Sequence, residues 1–231
     1  TQRNALLKNE ALQDEALLGG FDQGLIEYGS KITYSRFSWL LRALPELASV
    51  VARIAPEQRY LGLMYHSKWA PLNNEKNNSF SNLGVFHFSG QCELPSIEVF
   101  KRAFAENLYR LRAQEIRNRI TLVGPHRDDW GFSLGGFPLQ AQGSQGEVRS
   151  VLLGLKITEV NLFKNLSGHA PVFLLDDFSS ELDDSRRNYL LDYLQESSLQ
   201  VFVTTTDRRL GVGRRFEVCA GEIRELKSLS D

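Results

Sequence analysis

Residues 171–187 read PVFLLDDFSSELDDSRR. Four apolar residues, Val172, Phe173, Leu174 and Leu175, stop at two carboxylates, Asp176 and Asp177. A short unbroken apolar run between a proline and charge is the pattern of a strand buried on both faces, as in a parallel sheet. Ligands of parallel α/β sheets bind beyond the carboxyl ends of the strands. Two acids at that point can hold a divalent cation and orient a water, the Walker B arrangement. They can equally solvate the strand end and cap the next segment.

The flanking stretches bear on that choice. A helix is expected from about Ser185, with Tyr189, Leu190, Tyr193 and Leu194 as its stripe and Asp183 or Asp184 as its N-cap. Residues 200–207, QVFVTTTD, read as a second buried strand ending in hydroxyls and an acid. Two such strands joined by a helix make a βαβ unit. Upstream, Gln142-Gly143-Ser144-Gln145-Gly146-Glu147 opens a helix with Val148, Val151, Leu152, Leu155 and Leu162 as its apolar stripe. Ser144 and Glu147 have the spacing of a capping box. A glycine-flanked serine at a helix start also offers a hydroxyl and bare N–H groups to an anion. Gly146 in the first turn weakens the helix, which makes sense where something approaches the backbone closely.

The rest of the chain reads as follows. Residues 2–53 are helical in pattern, with Gly19-Gly20 breaking a first helix from a second and Pro45 as a kink or break. Strands are expected at 58–66 and 84–88, flanking a polar loop at 71–82. His66 and His87 lack partners at metal spacing. Ser96 caps a helix to about Arg117, with Ile97, Phe100, Phe104, Leu108 and Leu111 as its stripe. Its polar face carries Lys101, Arg102, Arg110, Arg112, Arg117 and Arg119 against Glu106 and Glu115. Such a face suits a nucleic-acid backbone or plain solvent. Residues 120–123 read as a short strand. Then come Gly124-Pro125-His126-Arg127-Asp128-Asp129, a Gly135-Gly136 hairpin with Pro138 on an edge, and a closing hairpin over 215–223.

Composition narrows the class. The 231 residues are 42% hydrophobic and 24% charged, enough for a sizeable core in a globular chain. The net charge of −1 rules out whole-chain attraction to nucleic acid or membrane, so any such contact is local. Cys92 and Cys219 fit no metal spacing and read as two reduced thiols. No apolar run approaches the roughly 18 residues of a membrane helix. The opening Thr1-Gln2-Arg3-Asn4-Ala5-Leu6-Leu7-Lys8 reads as the middle of a helix, so a fragment of a longer protein is expected.

Taken together, QRNALLK at 2–8, GPHRDD at 124–129, GSQGEVR at 143–149, LLDDFSSELDDSRR at 174–187 and VFVTTTD at 201–207 resemble the RecF family. These are bacterial DNA replication and repair proteins of the ABC/SMC ATPase type. The resemblance implies an α/β fold: the C-terminal part of an ATPase head, a parallel-sheet core with helices, over 118–231, plus a mainly helical arm with a short strand pair over 1–117. It implies that Asp176 serves a nucleotide-bound Mg2+ and that Asp177 positions water where most ABC ATPases carry Glu. Ser144, Gln145, Gly146 and Glu147 would be the signature motif, which binds the γ-phosphate of ATP held by the other protomer. Ser180, Glu181, Leu182 and Asp183 would be the D-loop of the dimer interface. Thr206 stands where transporters carry the switch His, and with the shorter Asp177 it implies slow hydrolysis. The resemblance gives GPHRDD no chemical role.

Further implications are an ATP-dependent homodimer, binding to DNA gaps or single-strand/double-strand junctions, and recombinase loading with RecO- and RecR-type mediators. Lys101, Arg102, Arg110 and Arg112 are the candidate DNA contacts, and the expected location is the cytoplasm, at the nucleoid. One departure is plain. No G-x-x-x-x-G-K-[ST] occurs in the chain, so on its own it is expected to bind no ATP. The competing reading is a metal-dependent phosphohydrolase or nuclease using His126, Asp128, Asp129, Asp176 and Asp177.

Overall fold

The computed structural model describes residues 2–9, 15–57, 60–70, 85–88, 94–176, 183–206 and 213–226. The chain divides into two compact units, one of Thr1–Ala48 with Gln58–Ser144 and one of Ser49–Glu57 with Gln145–Asp231. Compactness and functional division are different properties: the first unit includes residues 118–144, which the resemblance assigns to the head.

The first unit opens with α1 (Gln2–Lys8) and α2 (Glu15–Ile54), whose last residues belong to the second unit. Contrary to the expected break, α2 runs through Gly19-Gly20 and has Pro45 inside it. Each glycine gives up only about 1 kcal/mol against alanine. Once a helix is nucleated, each added residue gains a hydrogen bond, and a 40-residue helix absorbs that penalty. Around Pro45, Leu44 and Leu47 are buried and hold the helix by packing.

Strand β1 (Leu61–His66) is the centre of an antiparallel sheet with β2 (Val85–Phe88), β3 (Asp129–Leu134) and β4 (Phe137–Pro138), in the order β2-β1-β3-β4. Leu61 to Tyr65 are all buried, so this is the strand covered on both faces. Pro138 lies on the edge strand, as its missing N–H requires. A short α4 (Leu139–Gln142) follows. Helix α3 (Ile97–Asn118) buries Phe100, Phe104 and Leu108 against Phe37, Leu40 and Leu44 of α2 and Leu63 and Tyr65 of β1. Ring centroids stand 4.2 Å apart for Phe37–Tyr65 and 4.4 Å for Trp69–Phe104. Gly29 lets α2 approach: a Cβ there would lie 2.5 Å from Phe104 Cε2.

Residues 120–123 form no strand. The Leu122 N–H donates to Glu115 Oε1 at 2.7 Å, and the Thr121 N–H to Asn4 Oδ1 at 2.9 Å. Side chains take the donors that a ladder would use. Beneath them, the buried Arg3 guanidinium donates to Asp22 Oδ1 at 2.9 Å, Glu115 Oε2 at 2.6 Å and Thr121 Oγ1 at 2.7 Å.

The Gly124–Asp129 stretch acquires a role here. Gly124 takes φ 137°, and the Arg127 N–H closes a turn on its carbonyl at 2.9 Å. Asp128 plugs into the unit: Oδ2 accepts from Tyr65 Oη at 3.1 Å and Thr33 Oγ1 at 3.3 Å, and Oδ1 accepts from Trp69 Nε1 at 3.1 Å. Arg36 Nη1 donates to the Pro125 carbonyl at 2.7 Å, and Arg127 Nε to the Thr121 carbonyl at 3.2 Å. Burial pushes the Asp128 carboxyl up, against the pull of its donors, and burial likewise raises the Tyr65 phenol.

In the second unit, β5 (Val172–Leu175) pairs in parallel with β6 (Gln200–Val203), and α6 (Asp184–Glu196) lies between them in sequence, giving the expected βαβ unit. Phe173 packs with Val50, Ile54, Leu153, Ile157, Val160 and Leu190. The expectation of two-sided burial fails: Val172 is 53% exposed, Leu174 70% and Phe202 55%. Among the described residues, the pair is covered on one face alone. Helix α5 (Gln145–Ser167) buries Val151, Leu153, Ile157 and Val160; Leu152 is exposed and Leu155 and Leu162 are half-buried, so the expected stripe is displaced. Strands β7 (Arg215–Cys219) and β8 (Glu222–Leu226) form the closing hairpin over Ala220 and Gly221, both at positive φ. Cys92 and the loop at 71–82 lie outside the described residues.

Two outcomes are expected. Gly29→Ala forces Phe104 or α2 to move and lowers stability by about 1–3 kcal/mol, read by urea unfolding. For Asp128, a raised native pKa means that its protonated form favours the fold. That contribution is complete below the ordinary carboxylate pKa and is lost as pH rises through the raised value. The stability difference between wild type and Asp128→Asn therefore shifts against the wild type as pH climbs from about 4 to 7. A flat difference across that series would contradict the assignment.

Candidate functional site

The carboxyl end of β5 carries Asp176, exposed, directly after Leu175. Two bonds tie it to the end of β6. The Thr204 N–H donates to the Leu175 carbonyl at 2.8 Å, and Thr204 Oγ1 donates to Asp176 Oδ1 in a short hydrogen bond. The parallel register brings Leu175 opposite Val203, which is why the residues that follow each strand meet. Thr206 lies two residues beyond Thr204 and is exposed. Asp177, Ser180, Glu181 and Leu182 lie outside the described residues. Thr204 is the site residue that the sequence reading passed over. Its signal is the run of hydroxyls, Thr204-Thr205-Thr206, that follows β6.

Ser144 and Gln145, both exposed, stand at the start of α5, followed by the half-buried Gly146 and Glu147. Glycine at 146 leaves room for a local contact. A Cβ there would lie 3.0 Å from Arg186 Nη2, so the close approach is made by a side chain of α6. Arg186 Nε donates to the buried Ser150 Oγ at 2.7 Å, and Ser150 Oγ donates to the Gly146 carbonyl at 3.0 Å. Asp183 is the N-cap of α6: its Oδ1 accepts from the Arg186 N–H at 3.0 Å, while its Oδ2 makes a short ion pair with Arg186 Nη1.

The basic face of α3 is only partly open. Lys101 Nζ pairs with Glu27 Oε2 at 2.9 Å and Glu98 Oε1 at 3.3 Å, which raises its pKa, Glu27 contributing most. Arg112 is half-buried in a short ion pair with Asp22. Glu115 faces the core rather than solvent. Arg110 is exposed and donates to Asn107 Oδ1 at 2.6 Å; Arg102 is exposed.

As a metal centre, the acidic residues offer little. Among the described residues, no three His, Cys, Asp or Glu side chains gather as cation ligands. Asp128 is surrounded by donors, and Asp129 Oδ1 accepts from the Trp130 N–H at 2.8 Å. The hydrolase reading therefore gains no support. Asp176 is a hard oxygen donor at a strand end, a fit for Mg2+ held jointly with nucleotide phosphates and water. No helix among the described residues is long and apolar enough to cross a membrane.

No family model matches the chain. A protein named DNA replication and repair protein RecF from Symbiobacterium thermophilum is 35% identical over 206 residues, covering 89% of this chain and 49% of that protein. Its namesake from Heliobacterium modesticaldum is 31% identical over 231 residues, covering 96% of this chain and 56% of that protein. A solved structure described as that of the recombination mediator protein RecF-ATP in the RecFOR pathway matches with a TM-score of 0.78 at 27% identity. It covers 98% of this chain and 55% of that one. The chain thus spans about half the length of the curated relatives it matches. Over that span, in sequence and in fold, it is similar to the RecF proteins.

Proposed function

We propose that this chain is the C-terminal part of a DNA repair and recombination ATPase, with residues 1–117 as arm and 118–231 as head lobe. The observation that carries this reading is the placement of Asp176 at the carboxyl end of a parallel strand, held by Thr204 of the neighbouring strand. In the intact protein, Asp176 takes part in holding the Mg2+ of ATP, and the cation neutralises charge on the phosphates. Thr204 fixes one carboxylate oxygen and so aims the other. Asp177 orients the attacking water. Ser144, Gln145, Gly146 and Glu147 present the α5 start to the γ-phosphate held by a second protomer, and Ser180 and Asp183 line the same dimer interface. Thr206 supplies a hydroxyl where a histidine would promote hydrolysis, so turnover is slow and ATP serves chiefly to dimerise the protein.

On this reading the dimer binds DNA at gaps or single-strand/double-strand junctions, in the cytoplasm at the nucleoid. There it helps to load recombinase with RecO- and RecR-type mediators. Of the four candidate DNA contacts, Arg102 and Arg110 are the exposed ones. Lys101 and Arg112 would have to leave Glu27 and Asp22 to reach phosphate.

Titration calorimetry with Mg2+-ATP tests the core of the reading. The 231-residue chain binds none, because it has no phosphate loop. Joined to a lobe bearing that loop, it binds ATP and dimerises, and Asp176→Asn abolishes the Mg2+ dependence. Tight binding by the chain alone would overturn the proposal. For DNA, reversing the charge of Arg102 and Arg110 lowers the slope of log affinity against log salt by about two in the joined protein. An unchanged slope would remove α3 from the interface.

A further inference from the structure

We infer that Arg186 is a positioning residue that locks the first turn of α5 to the N-cap of α6, so that the two motifs move as one. Three features of the second unit carry this. The Arg186 guanidinium contacts both helices at once: Nε reaches Ser150 Oγ at 2.7 Å on α5, while Nη1 pairs with Asp183 at the start of α6. The α5 partner is fully buried and relays the contact to the Gly146 carbonyl at 3.0 Å. And residue 146 is glycine where a Cβ would stand 3.0 Å from Arg186 Nη2.

An ordinary exposed Arg–Asp pair three residues apart on a helix needs none of this and contributes little. Here the Arg186 side chain is 15% exposed, and its planar fork divides between two helices. A charge-assisted bond to a buried hydroxyl is among the stronger side-chain links available. The cap of α6 does not depend on it, because Asp183 Oδ1 accepts from the Arg186 backbone N–H, which any residue at 186 provides. Loss of the side chain therefore frees the start of α5 and leaves α6 capped. That Arg186 thereby sets Gln145–Glu147 and Asp183 in register for a nucleotide-bearing partner rests on the function proposed above.

Hydrogen exchange on the 231-residue chain tests the link without nucleotide. Arg186→Ala speeds exchange of the Arg149 and Ser150 amides, the first of α5 with acceptors in their own helix, by about tenfold or more. Exchange within α6 and the urea midpoint stay near wild type. Ser150→Ala reproduces the effect, and the double variant is no worse than either single one, as a shared contact requires. Arg186→Lys keeps the charge without the fork and fails to restore protection. Uniform acceleration across both helices, additive effects or full rescue by lysine would each overturn the link.

In the protein joined to a phosphate-loop lobe, Arg186→Ala weakens ATP-driven dimerisation by about tenfold or more while ATP binding to each protomer is retained. Unchanged dimerisation would overturn the positioning role. If the wild type itself fails to dimerise with ATP, the proposed function falls and this role with it, while the exchange series still decides the link.

Discussion

The first unit is arranged around one buried guanidinium. Arg3 is 4% exposed and meets Asp22 of α2, Glu115 of α3 and Thr121 of the segment after it. A charge taken out of water is tolerable only when it is paired and every donor is satisfied. The alternatives to this arrangement are expensive: stripping one partner from such a pair costs about 3–5 kcal/mol, while exchanging the whole set for apolar residues is close to neutral. The network therefore acts less as a source of net stability than as a constraint on geometry. It fixes the short α1 against α3, and through Glu115 Oε1 it takes the Leu122 N–H away from any strand. The turn that Asp128 anchors begins three residues after Thr121, so its position follows from the same constraint.

Glu115, fully buried, and Asp128, half-buried, are acids of this unit that solve different problems. Glu115 is neutralised by Arg3, while Asp128 is surrounded by neutral donors from Thr33, Tyr65 and Trp69. Neutral donors compensate a buried carboxylate less completely than a guanidinium does, and burial wins, raising the pKa of Asp128. Four ionisable residues stand in a row here, three of which, His126, Asp128 and Asp129, the competing reading gives to a metal site. In place, they are a plug: Asp128 goes inward, and His126 and Arg127 lie back toward the Thr121 carbonyl.

Legibility followed range. The βαβ unit, the closing hairpin, the α3 stripe and, to within the Asp183/Asp184 pair, the cap of α6 were readable because periodicity and local hydrogen bonding determine them. The break at Gly19-Gly20 was misread because glycine is a weak local signal against 40 residues of cooperative helix. The strand at 120–123 was misread because Asn4 and Glu115, distant in sequence or hidden on another helix, satisfy its backbone. The run at 172–175 is unbroken and apolar, yet a run states only what a strand could bury. Leu61 to Tyr65, which contains a glycine, is the run that is buried at every residue.

At the candidate site the same distinction separates motif from anchor. Asp176 and Gly146 announce themselves by spacing, but Asp176 is bonded by Thr204 and the Gly146 carbonyl is linked to Arg186 through Ser150, and neither of these anchors stands out in the sequence. Each anchor acts across a gap of tens of residues: 28 from Thr204 to Asp176 and 36 from Arg186 to Ser150. Each also works through a side chain rather than a backbone ladder. This division suits a site that must be both exposed and rigid. An exposed carboxylate at a strand end and the first turn of a helix are the parts of a fold least restrained by its own backbone, since ladders stop and helical bonds have not begun. Side-chain bonds such as those of Thr204 and Arg186 add restraint at such places without covering the surface.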